Sequence, residues 1–465
     1  MRTAYIDCRL FDGADGCGVD EHATIIVEDA TIAEVRRGPD ALPDAAEIDE
    51  VFDAQGAFVM PGMINAHAHH FGFGKPSKSL SGGFVQKALL AFAHSPAGTA
   101  YLRAVGAKAL AAALYSGVTT ERGVGDFCYT DVQLRDRINQ GALDGPRFLV
   151  SGPAITCPSG HGAGTFAEVA VAPEEFEALV DERAAHHVDF IKITVTGGVM
   201  DSNVKGEAGV LRMTEEQTRA ACVRAAEHGL YVASHTEGPE GVKVDLDGGV
   251  YTVEHGSPVD AKTLAQFKSA GAADICTIAV AYPLSVLPTS QTKLLEAGQY
   301  NAALVRDRIA QAARQCREAG IPVGIGSDAA CPYVTHYDLW RDVLLFSSFV
   351  GASPADALRT VTLGNARIIH ADTVTGSIEA GKDADFIVLG HGADPLSDLH
   401  DLRRVETVVA RGRRFERCPE QLEPLRQKDV DAVLDELYTP EKIEPLCEES
   451  AARFADVLDQ AKTEA

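Results

Sequence analysis

The chain lacks any run near the roughly 18–20 consecutive apolar residues of a membrane span, and Met1-Arg2-Thr3-Ala4-Tyr5-Ile6-Asp7 lacks the apolar core of a secretory signal. The cytoplasm is therefore the default location. Its 10 cysteines, spread from Cys8 to Cys447, form no Cys-x-x-Cys pair, which excludes a disulfide framework and a thiolate zinc site as the organising feature. Basic residues are in deficit: 42 Lys and Arg against 67 Asp and Glu leave a net charge of −25, which repels phosphate backbones and anionic lipid headgroups. Nucleic acid and membrane are thus set aside as partners, leaving a small-molecule substrate. Aromatics are scarce at 6%, yet the apolar share is 46%, and abundant Ala and Gly suit close helix-on-sheet packing in an α/β protein.

At 465 residues the chain exceeds one small core and suits a large barrel with a satellite domain, at roughly 100–250 residues per domain. Residues 1–58 carry short β-type runs such as Ala23-Thr24-Ile25-Ile26-Val27, broken by turn residues, and the same texture returns over 373–417. The two ends are expected to build one small β-sandwich domain. Between them, over 59–372, eight apolar runs of strand length alternate with helical periodicity: 63–67, 117–120, 147–150, 190–193, 230–233, 251–254, 274–277 and 322–325. Thr214-Glu215-Glu216-Gln217 has the form of a capping box and Gly229 falls where that helix should end. Eight such units predict a (β/α)8 TIM-type barrel. Residues 418–465 form a charged, amphipathic helical tail, expected to pack on the barrel or on another subunit.

Chemistry-bearing residues fall at the C-terminal ends of these strands, where barrel enzymes collect their active sites. In Asn65-Ala66-His67-Ala68-His69 the i, i+2 spacing points both imidazoles to one face, so that two nitrogens can meet one metal. Alone such a pair is weak, since strand-end histidines often only satisfy local hydrogen bonds; His70 faces away and is read as structural. His235 and His255 end two further strands, and Asp328, in Gly324-Ile325-Gly326-Ser327-Asp328, brings a carboxylate to the same rim. That carboxylate could bind metal and accept a proton, or could be an ordinary turn aspartate. Lys192, inside Phe190-Ile191-Lys192-Ile193, is costly to bury unless neutralised or paired.

With these motifs, Thr196-Gly197-Gly198, and the late Gly376-Ser377-Ile378-Glu379-Ala380-Gly381, the sequence resembles the amidohydrolase superfamily, and within it the imidazolonepropionase and prolidase-like branch. The resemblance runs from the opening β segment through the barrel and stops before the tail. It implies a hydrolase of carbon–nitrogen bonds with two divalent cations, zinc in first place, with manganese, cobalt or iron as alternatives. Carbon dioxide would carbamylate Lys192, turning a cation into a carboxylate that bridges both ions. His67, His69 and Asp328 would hold the first ion and His235 and His255 the second. A water acidified by paired cations would attack a polarised carbonyl, with Asp328 taking the proton and passing it to the leaving amine. His161, in Gly160-His161-Gly162, resembles a loop histidine that hydrogen-bonds the substrate carbonyl, and a purely structural role is equally open. A homo-oligomer is expected from similar proteins.

Arg122 has two readings: an anchor for an anionic substrate group, or a local ion pair with Glu121 or Asp126, the latter favoured. Peptidase-like relatives commonly carry tyrosine two residues after the fifth-strand histidine, where this chain has Glu237, which argues against a plain dipeptidase. Apolar runs at Phe71-Gly72-Phe73-Gly74 and Ala279-Val280-Ala281-Tyr282-Pro283-Leu284 suggest either a hydrophobic pocket for an amide, urea or carbamate, or packing beneath a lid. The alternatives are an Xaa-Pro or N-acyl amino acid peptidase, a mononuclear imidazolonepropionase or deaminase, and a non-catalytic scaffold. Lys192 weighs against the mononuclear enzymes, and the retention of all six ligand types weighs against the scaffold.

Overall fold

In the computed structural model, residues 1–16, 18–38, 42–76 and 83–464 are described. The chain opens with β1 (Arg2–Leu10), β2 (Asp20–Glu28), β3 (Thr31–Arg37), β4 (Glu50–Asp53) and β5 (Phe58–Pro61). Eight parallel strands follow in the order of a barrel: β6 (Met63–Ala68), β7 (Val118–Gly123), β8 (Arg147–Val150), then, after the short β9 (Ala154–Thr156) and β10 (Ala167–Val169), β11 (Ile191–Thr194), β12 (Val232–Thr236), β13 (Thr252–His255), β14 (Ala273–Cys276) and β15 (Val323–Ile325). Late in the chain, β16 (Phe386–Leu389), β17 (Val405–Ala410) and β18 (Arg413–Glu416) return to the opening strands. The resulting mixed sheet runs β18-β17-β16-β5-β1-β2-β3, with β4 beside β1. The fold is thus a TIM-type barrel with a second β unit made from both chain ends.

Two glycines let these layers meet. Gly62 is the whole connection between β5 and β6, and a Cβ there would lie 2.1 Å from Thr119 Oγ1 on β7. Gly326 follows β15, and a Cβ there would lie 2.4 Å from His67 Cβ. Without side chains at these points the sheet can lean on the barrel and the eighth strand can close against the first.

Barrel closure relies on specific bonds rather than a full ladder. At the lower end Asn365 donates from Nδ2 to Ile64 O at 2.6 Å and to Ile325 O at 2.7 Å, while its Oδ1 accepts from Ile325 N at 2.9 Å. At the upper end the amides of Ser327 and Asp328 donate to His67 O at 3.1 and 2.8 Å. Between the third and fourth barrel strands, β9 pairs with β11 through Ile155 and Ile193, and the Asp189 amide donates to Val150 O at 2.8 Å.

The helices Glu215–Glu227 and Glu296–Ala319 belong to the outer ring. The first starts with Thr214 and Gln217 capping each other, as the capping-box pattern predicts. The helices Lys428–Leu437 and Pro440–Glu464 lie against the barrel: Val430, Leu434, Tyr438 and Ile443 join its buried apolar cluster, and Tyr282 Oη donates to Leu437 O at 2.9 Å. The run at 279–284 lies within the helix Ile278–Val286, with Tyr282 and Leu284 in the core, so packing accounts for its apolar character. Among the described residues no helix is long and apolar enough to cross a membrane.

Candidate metal centre

Strand ends bring the candidate ligands to one rim, and every one is buried. The ligand atoms of His67, His255 and Asp328 lie within 4.8 Å of one another. His69 Nε2 and His67 Nε2 stand 3.2 and 3.5 Å from Asp328 Oδ1. The His235 ring centroid is 4.6 Å from that of His255. Lys192 enters from β11, in register with Ala233 beside the strand that carries His235. Two of the six residues sit in left-handed backbone, His255 at φ +70° and Asp328 at φ +59°, a conformation that non-glycine residues adopt at a cost and that concentrates at functional sites.

Supporting hydrogen bonds aim the imidazoles. His67 Nδ1 donates to Glu254 Oε2 at 2.7 Å and His69 Nδ1 to Gly125 O at 2.7 Å, which leaves each Nε2 as the lone pair facing the site. His255 Nδ1 meets Thr277 Oγ1 at 2.7 Å. Burial, reinforced by neighbouring charges, holds His235 and His255 well below the ordinary imidazole range, so both are neutral, the form that ligates metal. Burial also pushes the Lys192 ammonium down to about 8, against the pull of Glu254 and Asp328.

These residues fit divalent cations. Lys192 Nζ, His235 Nε2 and Asp328 Oδ1 are buried with no hydrogen-bond partner, and a buried polar atom left so carries a penalty of ~1–3 kcal/mol. Neutral imidazoles and a carboxylate are the donors that zinc and similar ions take. The 3.2 and 3.5 Å separations also bracket the edge, ~3.4 Å, of a tetrahedron built from ~2.1 Å metal–ligand bonds.

His161 stacks on His235 with ring centroids 4.0 Å apart and planes 9° from parallel, and its Nδ1 is bonded to Asp201 Oδ2. Burial disfavours its charge, but Asp201 outweighs burial and raises the His161 pKa. Glu237 is buried nearby, pushed up to about 8 first by burial, with His161 opposing that rise and Asp201 adding to it. Phe71 and Phe166 stack on each other at 5.8 Å and each lies 5.2 Å from the His69 ring, forming an aromatic wall at the site.

Arg122 corrects the sequence reading. It makes an ion pair, but not with Glu121 or Asp126: its Nη2 donates to both Glu254 oxygens at 2.7 and 2.8 Å, its Nε to Ala66 O at 2.6 Å and its Nη1 to Thr252 Oγ1 at 3.1 Å. Alternation along β7 sends residues 121 and 122 to opposite faces, so proximity in sequence is distance in space. Burial would raise Glu254, yet Arg122 and the His67 bond hold it far below the usual carboxylate range. Glu254 was missed from sequence, although its signal matches that of Lys192: a charged residue within a buried strand. Asp201 and Thr277 carried no comparable signal.

A parallel barrel with imidazoles and a carboxylate gathered at its C-terminal rim defines the class of metal-using barrel hydrolases. The chain matches the Amidohydrolase family over residues 58–415 and belongs to that family. Among curated proteins it is 22% identical over 376 residues to the ochratoxinase of Aspergillus niger, covering 76% of this chain and 73% of that protein. To the imidazolonepropionase of Symbiobacterium thermophilum it is 25% identical over 407 residues, covering 83% and 86%. The crystal structure of a candidate prolidase from Bifidobacterium longum superposes with a TM-score of 0.81 at 34% identity, over 94% of this chain and 99% of that one. The protein is an amidohydrolase acting on carbon–nitrogen bonds.

Proposed function

We propose that the protein cleaves the C–N bond of an amide, urea or carbamate in a small, partly apolar substrate, using a binuclear centre bridged by carbamylated Lys192. The observation that carries this reading is the joint burial, without partners, of Lys192 Nζ, His235 Nε2 and Asp328 Oδ1. His67, His69 and Asp328 would hold one ion and His235 and His255 the other. Uncharged Nζ would bond to the carbon of carbon dioxide and release a proton to solvent, and the resulting carboxylate would offer its oxygens as metal ligands. Two divalent cations, when bound, would supply Lewis acidity that lowers the pKa of water and polarises the scissile carbonyl. Zinc suits these donors, and manganese, cobalt and iron suit them too.

The chain's own residues carry the protons. Asp328 accepts the proton of the attacking water and delivers it to the leaving nitrogen. His161, whose pKa Asp201 raises, in its protonated form donates from Nε2 to the oxygen that gains charge in the transition state. The Phe71 and Phe166 wall excludes water and receives the apolar part of the substrate.

A second reading, hydrolysis of Xaa-Pro dipeptides or N-acyl amino acids, draws on the likeness to the Bifidobacterium longum protein; Glu237 in the place where peptidase-like relatives commonly carry tyrosine disfavours it. The test pairs carbon-13 bicarbonate labelling with a substrate panel. Labelled wild type should show a carbamate carbonyl resonance that Lys192→Ala lacks, with activity lost in the variant and partly restored by short carboxylates. An active, metal-loaded wild type without that resonance would refute the bridge. Aryl amides, phenylureas and carbamates turned over ahead of Xaa-Pro dipeptides would support the first substrate class, and the reverse order the second.

A further inference from the structure

Behind His69, on the other side of β6, lies a second cluster: His70, Glu121 and His336, each buried, with ligand atoms within 4.8 Å of one another. They come from β6's end, β7 and the segment after β15, and belong to no part of the catalytic reading above. Their donors and acceptors do not balance. His336 Nε2 donates to Gly72 O at 2.8 Å; a carbonyl only accepts, so His336 Nδ1 carries a lone pair, and it has no partner. Glu121 Oε1 accepts from Asn65 at 3.1 Å, whereas Oε2 accepts from nothing. Both His70 nitrogens are likewise without hydrogen bonds, Nε2 lying 3.4 Å from Glu121 Oε2 and Nδ1 3.7 Å from Asp126 Oδ2. Among the described residues no lysine or arginine pairs with Glu121 or Asp126.

The lone pairs of His336 Nδ1 and Glu121 Oε2 therefore face one buried point, and the one ring that could offer a proton there, His70, makes no hydrogen bond. The 3.4 Å between His70 Nε2 and Glu121 Oε2 is long for a hydrogen bond but equals the edge, ~3.4 Å, of a tetrahedral shell with ~2.1 Å bonds. We propose that His70, Glu121 and His336 bind a further divalent cation of the zinc type, structural in role and separate from the catalytic centre. Gly72 O stands behind His336 as the outer partner that fixes its ring, the arrangement that metal-bound imidazoles usually show, and Asp126 Oδ2 lies 3.7 Å behind His70 Nδ1. The ion would tie the end of the first barrel strand and the second strand to the segment that follows the eighth.

The test is elemental analysis of the full-length chain, expressed with zinc and purified without chelator. His336→Gln and His70→Gln should each contain one ion fewer per chain than wild type. The doubly altered Asp328→Ala, His235→Ala chain should keep one ion, which His336→Gln then removes. This difference is read independently of the catalytic centre: should that centre take one ion or none, the step on His336→Gln remains. Equal metal content in wild type and His336→Gln would overturn the proposal, leaving only a long His70–Glu121 hydrogen bond. Where the variant does not fold, anomalous diffraction from zinc-loaded wild-type crystals decides. A peak between His70, Glu121 and His336 is expected, and none there alongside peaks at His67 and His235 would overturn it.

Discussion

Replacing Arg122 by Met should destabilise the protein in a way that fades with acid. The guanidinium is fully buried and bonds to both Glu254 oxygens, Ala66 O and Thr252 Oγ1, so its loss leaves Glu254 charged inside the barrel with only the His67 and Thr252 hydrogen bonds and no guanidinium partner. Breaking one side of such a pair costs about 3–5 kcal/mol. Glu254 has one escape, taking up a proton, and at 1.36 kcal/mol per pH unit above an ordinary Glu pKa of about 4.3 this costs ~3.7 kcal/mol at pH 7 and ~1 kcal/mol at pH 5. The sign follows from linkage: in wild type the depressed pKa of Glu254 keeps its contribution whole from pH 7 to pH 5, whereas in the variant a native Glu254 that binds a proton the unfolded chain lacks regains stability as pH falls. The Arg122→Met deficit should therefore shrink by ~2–3 kcal/mol between pH 7 and pH 5, leaving a remainder of ~1–3 kcal/mol for the unsatisfied Ala66 carbonyl. Adding Glu254→Gln should recover most of the pH-dependent part. Urea unfolding at both pH values, followed by far-UV circular dichroism with metal present, measures this cycle. A deficit that ignores pH, or single effects that add within about 0.5 kcal/mol, would refute the pairing as an energetic unit.

Asp328→Asn should keep the histidine ligands and the fold but lower turnover by ~10²–10⁴, measured as kcat at saturating substrate, because an amide cannot take the proton of water. His161, raised by Asp201, should give an alkaline limb in the kcat/KM profile as it deprotonates above the ordinary range near ~6.5, and His161→Gln should remove that limb. Glu237→Tyr should shift the kcat/KM ratio toward carboxylate-bearing N-acyl amino acids over aryl amides by ~10–100-fold, the worth of a hydrogen bond to a charged group. An unchanged ratio would place Glu237 outside the substrate site.

The barrel was legible because each strand shows itself as a short apolar run, and because His67, His69, His235, His255 and Asp328 all stand where such runs end. Lys192 was legible as a charge in the wrong place. What stayed hidden depends on partners far apart in sequence. Arg122 and Glu254 are 132 residues apart, and His336 reaches Gly72 across 264. His70 looked merely structural because its partners, Glu121 and His336, come from other barrel units. The strands β9 and β10 are three residues each, too short to show a period. Glu254 could have been found by the rule that exposed Lys192, had it been applied to every strand.

β5 pairs with β1 along one edge, but its other edge, residues 59–61, finds its partner only once residues 386–388 exist. On a ribosome adding ~5–20 residues per second, the opening strands wait on the order of 20–60 s with an unpaired edge. Their sheet is thus completed only late in synthesis, and the newborn chain has to be kept from pairing that edge with a neighbour until β16 arrives.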